Sequence, residues 1–406
     1  PHDNLEQAYR AALDAPIDSP PLNVVVKPTD HVVIVVSDIT RVWQKNDTTL
    51  PLLLDYLNEL GLEDEQVTII IGVGAHRQNT KEEFAEICSS EVCKRIRVVN
   101  HNAWDSDNMV YVGQTSFGTQ VSINRLIAEA DKVIITGGVI YHYMAGYGGG
   151  RKSILPGIAS LETIQQNHLL GLTDTIGGGS NPLSASSMTE TNLLHEDMME
   201  IAALVNPDFL INVVPNLKGE LVGIFAGHWS TAWEKGCEMV QQIYGVEIEE
   251  QADIVIASAG GYPKDINLYQ SQKTLDNACY AMKPGGVSII LAECPLMKDP
   301  PEFFDWFNYK DIVSLEKAAR KNFLISGWLA IKQMEYEQMG TILLVTEERN
   351  VELARKAHVE PVTTIEEALS IALEKCNTSK PTITVMPQGA TTFPIRRTPS
   401  NIHQLI

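Results

Sequence analysis

Residues 141–157, YHYMAGYGGGRKSILPG, bring together five glycines, His142 and two adjacent basic residues, Arg151 and Lys152. Glycine allows positive φ and lets the backbone approach a guest with no Cβ in the way. Successive N–H groups ahead of a helix terminus favour an anion. The expected chemistry is a bound phosphate at Gly148, Gly149, Gly150 and Arg151, beside an available lysine amine. The block falls short of the P-loop pattern, because Gly146 lies six before Lys152 but Arg151 occupies the second glycine position. An ordinary nucleoside triphosphatase is therefore disfavoured.

The elements that must position this block are a buried strand over the apolar run 133–140 and an amphipathic helix over 160–169. The same pattern of apolar run, polar end and helix occurs upstream. The run in HVVIVVSDITR ends at Asp38, Thr40 and Arg41, and a helix is expected over 50–60. The run 67–73 leads to His76 and Arg77, with a helix over 81–89. The run 95–99 leads to His101. Alternating strands and helices predict a parallel sheet covered on both faces, with ligands at the carboxyl ends of its strands. Asp38, Arg41, His76, His101 and His142 all stand at such ends. His101, flanked by Asn100 and Asn102, has the weakest claim, since its neighbours are turn formers. His168 falls near the end of the 160–169 helix, and the Gly, Ser, Thr and Asn-rich stretch 172–190 reads as a loop. Further elements are a helix over 194–204, strands over 209–214 and 222–225, and a helix over 230–244.

With 406 residues, 44% hydrophobic and 20% charged, the chain has the length and composition of a two-domain globular protein. A net charge of −20 argues against nucleic acid or an anionic membrane surface as partner. The six cysteines show no CxxC spacing, so reduced thiols and a cytoplasmic location are expected. No run reaches membrane-spanning length and no signal peptide is visible. The first residue is Pro1, so an N-terminal piece is expected to precede this numbering.

Composition resets at 247–252, which places a boundary between a first α/β domain, residues 1–248, and a smaller one, residues 252–386. The proline-punctuated segment 388–406 is expected to return to the first domain. In the second, strands are expected over 254–257, 287–291, 342–345 and 382–386, and helices over 274–281, 315–322 and 365–376. The fold class is thus α/β, two domains with mainly parallel sheets flanked by helices, and an active site expected in the interdomain cleft.

The motifs SDITR at 37–41, GAHR at 74–77, the glycine block 142–157, His168 and YQSQK at 269–273 together resemble the nickel-dependent lactate racemase family, in order and spacing and across both halves. Trp328 matches more loosely. The resemblance implies a pincer cofactor of the pyridinium-3,5-bisthiocarboxylic acid mononucleotide type. It would be bound covalently to Lys152, with His168 as the protein ligand to nickel. It implies racemisation or epimerisation of a 2-hydroxy acid, lactate or a relative, by reversible hydride transfer through a 2-keto acid, with His76 and His142 as opposed bases. Arg41 and Lys273 would bind the substrate carboxylate, Asp38, Tyr269, Gln270 and Trp328 would complete substrate binding, and separate cofactor-making proteins would be needed for maturation.

Two other readings use the same residues. One is a phosphotransferase with the glycine turn, Lys152 and a Mg²⁺ held by Asp38. The other is a non-catalytic carrier of a nucleotide or organic acid.

Overall fold

A computed structural model describes residues 4–376 and 378–396. The chain divides into two compact units. The first comprises residues up to His168 together with Leu183–Ile243; the second comprises Leu169–Pro182 and residues from Tyr244 onward.

The first unit is built on six strands: β1 (Val32–Ser37), β2 (Val67–Gly72), β3 (Arg97–Asn100), β4 (Lys132–Gly138), β5 (Phe209–Pro215) and β6 (Leu221–Gly227). Their order is β6-β5-β4-β1-β2-β3, parallel throughout except for β6, which runs antiparallel to β5. Five of the six residues of β1 are buried, which is why the run is continuously apolar and β-branched rather than alternating. Val32, Ile34 and Val36 join Leu50, Leu53, Leu57, Ile69 and Ile71 in one core cluster. The helix after β2, Lys81–Cys88, starts where Thr80 and Glu83 form a reciprocal capping box. Because successive strands are added first on one side of β1 and then on the other, the order reverses between β1 and β4. A doubly wound sheet opens its ligand crevice at the carboxyl ends of such a pair.

The second unit carries β7 (Ala252–Ser258), β8 (Met282–Leu291), β9 (Thr341–Val345), β10 (Glu360–Val362) and β11 (Ile383–Met386), all parallel in the order β10-β9-β8-β7-β11. Ile254, Val287, Ile289 and Leu343 pack with Val362, Ala368 and Ala372 on one side. The molecule is thus α/β with parallel-dominated sheets flanked by helices.

Several elements depart from the sequence expectation. The helical pattern over 274–281 is the later part of one helix, Leu268–Ala281, capped by Asn267, with Tyr269, Gln270 and Lys273 on its start as the sequence suggests. A helix over Ile325–Met339 was not anticipated; Trp328, Leu329, Ala330, Ile331 and Gln333 are all buried, so burial on several faces erases the polar stripe that would have marked it. The 172–190 stretch is not simply loose. Within the second unit the backbone N–H groups of Gly177 and Gly179 donate to Glu316, while Ser180 donates through N–H and hydroxyl to Glu335. Phe393–Arg396 pairs in parallel with Gly245–Ile248, which is also in the second unit, and residues 397–406 of the segment expected to return to the first domain lie outside the described residues.

Candidate active site

The turn that follows β1 fixes three polar groups at once. Asp38 caps it, accepting from the backbone N–H of Thr40 at 3.0 Å and from the Thr40 hydroxyl at 2.5 Å. The same hydroxyl oxygen accepts from Arg41 Nη1 at 2.7 Å, so Thr40 orders both charged neighbours. Trp43 seats the turn against β4 at Gly138, where an added Cβ would lie 2.5 Å from the indole ring.

From the end of β2, His76 donates Nδ1–H to the other Asp38 oxygen at 2.5 Å, and the imidazole is half exposed. Burial alone would raise the Asp38 carboxyl, but the hydrogen bond and charge of His76, the hydrogen bond from Thr40 and the charge of Arg41 outweigh it and hold the group at about 2. Asp38 is therefore an anion that keeps a proton on His76 Nδ1, so that a neutral His76 carries its lone pair on Nε2. Gly74, at φ +55, lets this segment pack on the glycine block. Its N–H donates to Gly157 O at 3.0 Å, and a Cβ there would lie 2.9 Å from Pro156.

The glycine block holds a small hairpin, Tyr141–His142 with Gly146–Tyr147, followed by a 3₁₀ turn over Gly150–Ser153. His142 Nδ1 accepts from the backbone N–H groups of Met144 and Ala145, both at 3.2 Å. A neutral His142 therefore carries its proton on Nε2, which faces Lys152 Nζ at 3.3 Å. Burial, then the charges of Arg151 and Arg41, pull the Lys152 amine down to about 7. A lone-pair amine accepting the His142 Nε2–H satisfies both groups. The expected N–H cradle for a phosphate is largely committed within the protein: Gly148 donates to Ile140 O, Gly150 to Asn212 Oδ1 and Lys152 to Gly149 O. The glycines serve close packing, since a Cβ on Gly149 would meet Asn212 Oδ1 at 2.7 Å and one on Gly150 would meet Trp233 at 2.6 Å.

His168 is buried near the end of the Leu161–Leu169 helix. Its Nδ1–H donates to Ile164 O at 2.8 Å, which puts the lone pair on Nε2. Burial, reinforced by the Lys152 charge, pushes it down to about 3, so it is neutral under any working condition. His101, by contrast, is a core residue. Both ring nitrogens are engaged, with Ala159 O and Asn124, and its claim to chemistry lapses.

In the second unit, the Leu268–Ala281 helix is buried except at Tyr269, Gln270, Lys273 and Tyr280. The three residues singled out from YQSQK thus share its accessible surface. Lys273 Nζ donates to Gln270 Oε1 at 3.3 Å, and Tyr269 packs edge-on against Phe303. Trp328 is fully buried and donates Nε1–H to Gly171 O at 2.7 Å. Thr40 stands at the strand end with Asp38 and Arg41, as the sequence places it, and its ordering of both is what the structure adds. Its position two residues after Asp38 is the spacing of an Asx turn.

These features define an α/β enzyme with titratable side chains beyond the carboxyl ends of a doubly wound sheet. The model of the lactate racemase N-terminal domain matches residues 1–177 and that of the lactate racemase C-terminal domain matches residues 248–393. A lactate racemase from Thermoanaerobacterium thermosaccharolyticum is 34% identical over 389 residues, covering 95% of this chain and 89% of that protein. One from Lactiplantibacillus plantarum is 30% identical over 397 residues, with the same coverage. The solved structure of the T. thermosaccharolyticum lactate racemase apoprotein superposes with a TM-score of 0.88 at 35% identity, over 97% of this chain and 93% of that one. A Thermotoga maritima protein shares the fold at TM-score 0.68 and 18% identity, over 97% and 98% of the two chains. The chain belongs to the lactate racemase family, whose members are isomerases.

Proposed function

We propose that this protein interconverts the enantiomers, or epimers, of a 2-hydroxy acid, lactate or a close relative. The observation that carries the reading is the opposite proton arrangement of two histidines that follow β2 and β4, the strands on either side of β1. Asp38 leaves His76 with a bare Nε2, whereas the backbone leaves His142 with a protonated one. One can accept a hydroxyl proton while the other donates, and exchanging the roles runs the reaction in reverse, as inversion of a stereocentre requires. The names of the relatives support the same activity.

Removing the C2 proton would place a carbanion beside a carboxylate, so hydride removal to give a 2-keto acid is the less costly route. The residues fit a covalently held nickel-pincer nucleotide. Lys152 offers an amine that is readily neutral, and His168 a permanently neutral imidazole whose Nε2 lone pair suits nickel. Among the described residues no three His, Cys, Asp or Glu side chains are grouped to hold a metal by themselves, so further donors would come from the nucleotide. When bound, that group supplies the acceptor and donor of hydride. Around it Gly148, Gly149 and Gly150 shape the turn that presents Lys152. Arg41 and Lys273 bind the substrate carboxylate, Tyr269 and Gln270 orient the substrate, and Asp38 holds His76 in its tautomer. Trp328 acts through Gly171. We assign a cofactor-binding domain to residues 1–248 and a smaller domain to residues 252–386, and maturation to separate cofactor-making proteins. A cytoplasmic location accords with this need. Among the described residues no helix is long and apolar enough to cross a membrane.

The phosphotransferase reading loses ground because both Asp38 oxygens are occupied by His76 and Thr40. The deciding experiment is intact mass, nickel content and lactate inversion of protein produced with the cofactor-making enzymes. A nucleotide adduct on Lys152 with near-stoichiometric nickel and inversion is expected. An unmodified, metal-free chain, in cells that load a related racemase, would overturn the cofactor reading.

A further inference from the structure

Arg151 takes no part in the reaction above, yet it adjoins Lys152 and is fully buried. Among the described residues no carboxylate pairs with its guanidinium, an unusual situation for a buried cation. Its donors go instead to Ala145 O at 2.6 Å, Gly149 O at 3.3 Å and His195 Nδ1 at 3.1 Å. The guanidinium lies 4.1 Å from the centre of the Trp233 ring. Trp233 in turn donates Nε1–H to Gly148 O at 2.8 Å and stacks obliquely on His195 at 5.4 Å. Three carbonyls of the glycine turn, at 145, 148 and 149, are thus tied to one cation and its aromatic seat. Burial, then the charge of Arg151, hold His195 down at about 3, so it accepts and does not compete as a second cation. Arg151 itself is lowered by burial only to about 10 and remains charged at neutral pH.

We propose that Arg151, seated on Trp233 and His195, is a positioning residue for Lys152. It fixes the main chain ahead of the lysine and sets a permanent positive charge beside its amine, so that Lys152 is presented as an acyl acceptor: its nitrogen would bond to a thiocarboxyl carbon while that carbon's C–O bond breaks, the oxygen leaving as water with two protons and no change of oxidation state. An ammonium group has no lone pair with which to attack an acyl carbon, whereas a neutral amine does. A fixed like charge in a partly dry site favours the neutral form. The other groups acting there are Arg41, whose charge works in the same direction, His142 at 3.3 Å, and His168, which feels the lysine's charge. This role gives the departure from the P-loop pattern a purpose: a glycine at 151 would supply neither the brace nor the charge. The biological meaning rests on Lys152 being the attachment residue, but the test below uses no cofactor. A missing adduct in co-produced protein would therefore sink that reading alone.

The test uses the full chain produced without the cofactor-making enzymes. It is treated briefly with N-hydroxysuccinimidyl acetate at near-neutral pH, and peptides are mapped by mass spectrometry. Acetylation of Lys152 is expressed relative to exposed Lys235 in the same molecules. In Arg151→Met the ratio is expected to fall about fivefold, the consequence of a one-unit rise from about 7 in the amine's pKa when the reaction is run near pH 7. Arg151→Lys, which keeps charge but not the fork, should fall less, and Trp233→Phe, which loses the bond to Gly148 O, about threefold. A purely structural role predicts the opposite sign, because loosened packing exposes Lys152 and raises the ratio. An unchanged or raised ratio in folded Arg151→Met overturns the proposal. Should that variant fail to fold, the same outcome in Trp233→Phe decides against it.

Discussion

His142 and Lys152 meet Nε2 to Nζ at 3.3 Å, and the backbone N–H groups of Met144 and Ala145 oblige the histidine to bring the proton. The lysine at that position is a lone-pair base in waiting, which suits the attachment role proposed for it. Lys152→Arg should therefore yield a folded protein with no adduct, no retained nickel and no inversion activity, because a guanidinium is not a nucleophile at neutral pH. Intact mass and metal analysis after co-production check it; a modified Lys152→Arg protein would show attachment elsewhere.

Asp38 and His76 are the other half of the proposed proton exchange, joined Oδ2 to Nδ1 at 2.5 Å. Replacing Asp38 with Asn keeps the shape but removes the anion that holds the proton on Nδ1. Inversion should fall by on the order of 10²-fold or more, while the adduct on Lys152 is retained. Loss of the adduct together with activity would mean Asp38 serves the fold of the turn rather than the tautomer.

The same carboxylate has a pH signature. Its folded value, about 2, lies below the ordinary 3.8, so its contribution to stability is fully present above pH about 4 and is lost as pH falls through 2. The shift corresponds to about 2 kcal/mol. The stability difference between wild type and Asp38→Asn, followed by denaturant melts, should be constant at neutral pH and shrink between pH about 4 and 2. A difference that persisted at pH 2 would assign it to packing.

Lys273 shares the accessible side of its helix with Tyr269 and Gln270 and contacts Gln270. Lys273→Ala should lower kcat/KM by about 10²-fold, as expected for losing a charged hydrogen bond to a carboxylate, and leave the Lys152 adduct intact. An unloaded Lys273→Ala protein would contradict a role confined to substrate.

How much of this was legible beforehand differs by residue. Buried parallel strands such as β1 announce themselves because both faces are covered, so local composition reports a tertiary fact. Ile325–Met339 does not, because burial on several faces leaves no stripe. Thr40 was legible from its spacing to Asp38, but the roles of His195 and Trp233 were not, since 44 and 82 residues separate them from Arg151.

The segment after His168 makes the same point and carries a prediction. Glu316 is fully buried yet receives two backbone N–H groups, from Gly177 and Gly179, and the side chain of Arg320. Glu316→Ala should cost about 3–5 kcal/mol, because it strands these donors and a partly buried cation. Denaturant melts measure the loss, and hydrogen exchange at Gly177 and Gly179 should quicken. Unchanged exchange would mean the segment is held by Glu335 and Arg320 alone.

By itself the sequence determined which residue types stand at the strand ends, and that a glycine turn carries Lys152. These are local consequences of apolar runs and of backbone freedom. Tertiary structure alone decided the proton inventory. Whether His76 or His142 carries hydrogen on Nε2 depends on what faces Nδ1, a carboxylate 38 residues away in one case and the local backbone in the other. It also decided that Arg151 turns inward to Trp233 rather than outward to an anion. Chain composition cannot express either outcome, because each is set by which donors and acceptors folding brings within about 3 Å of one another.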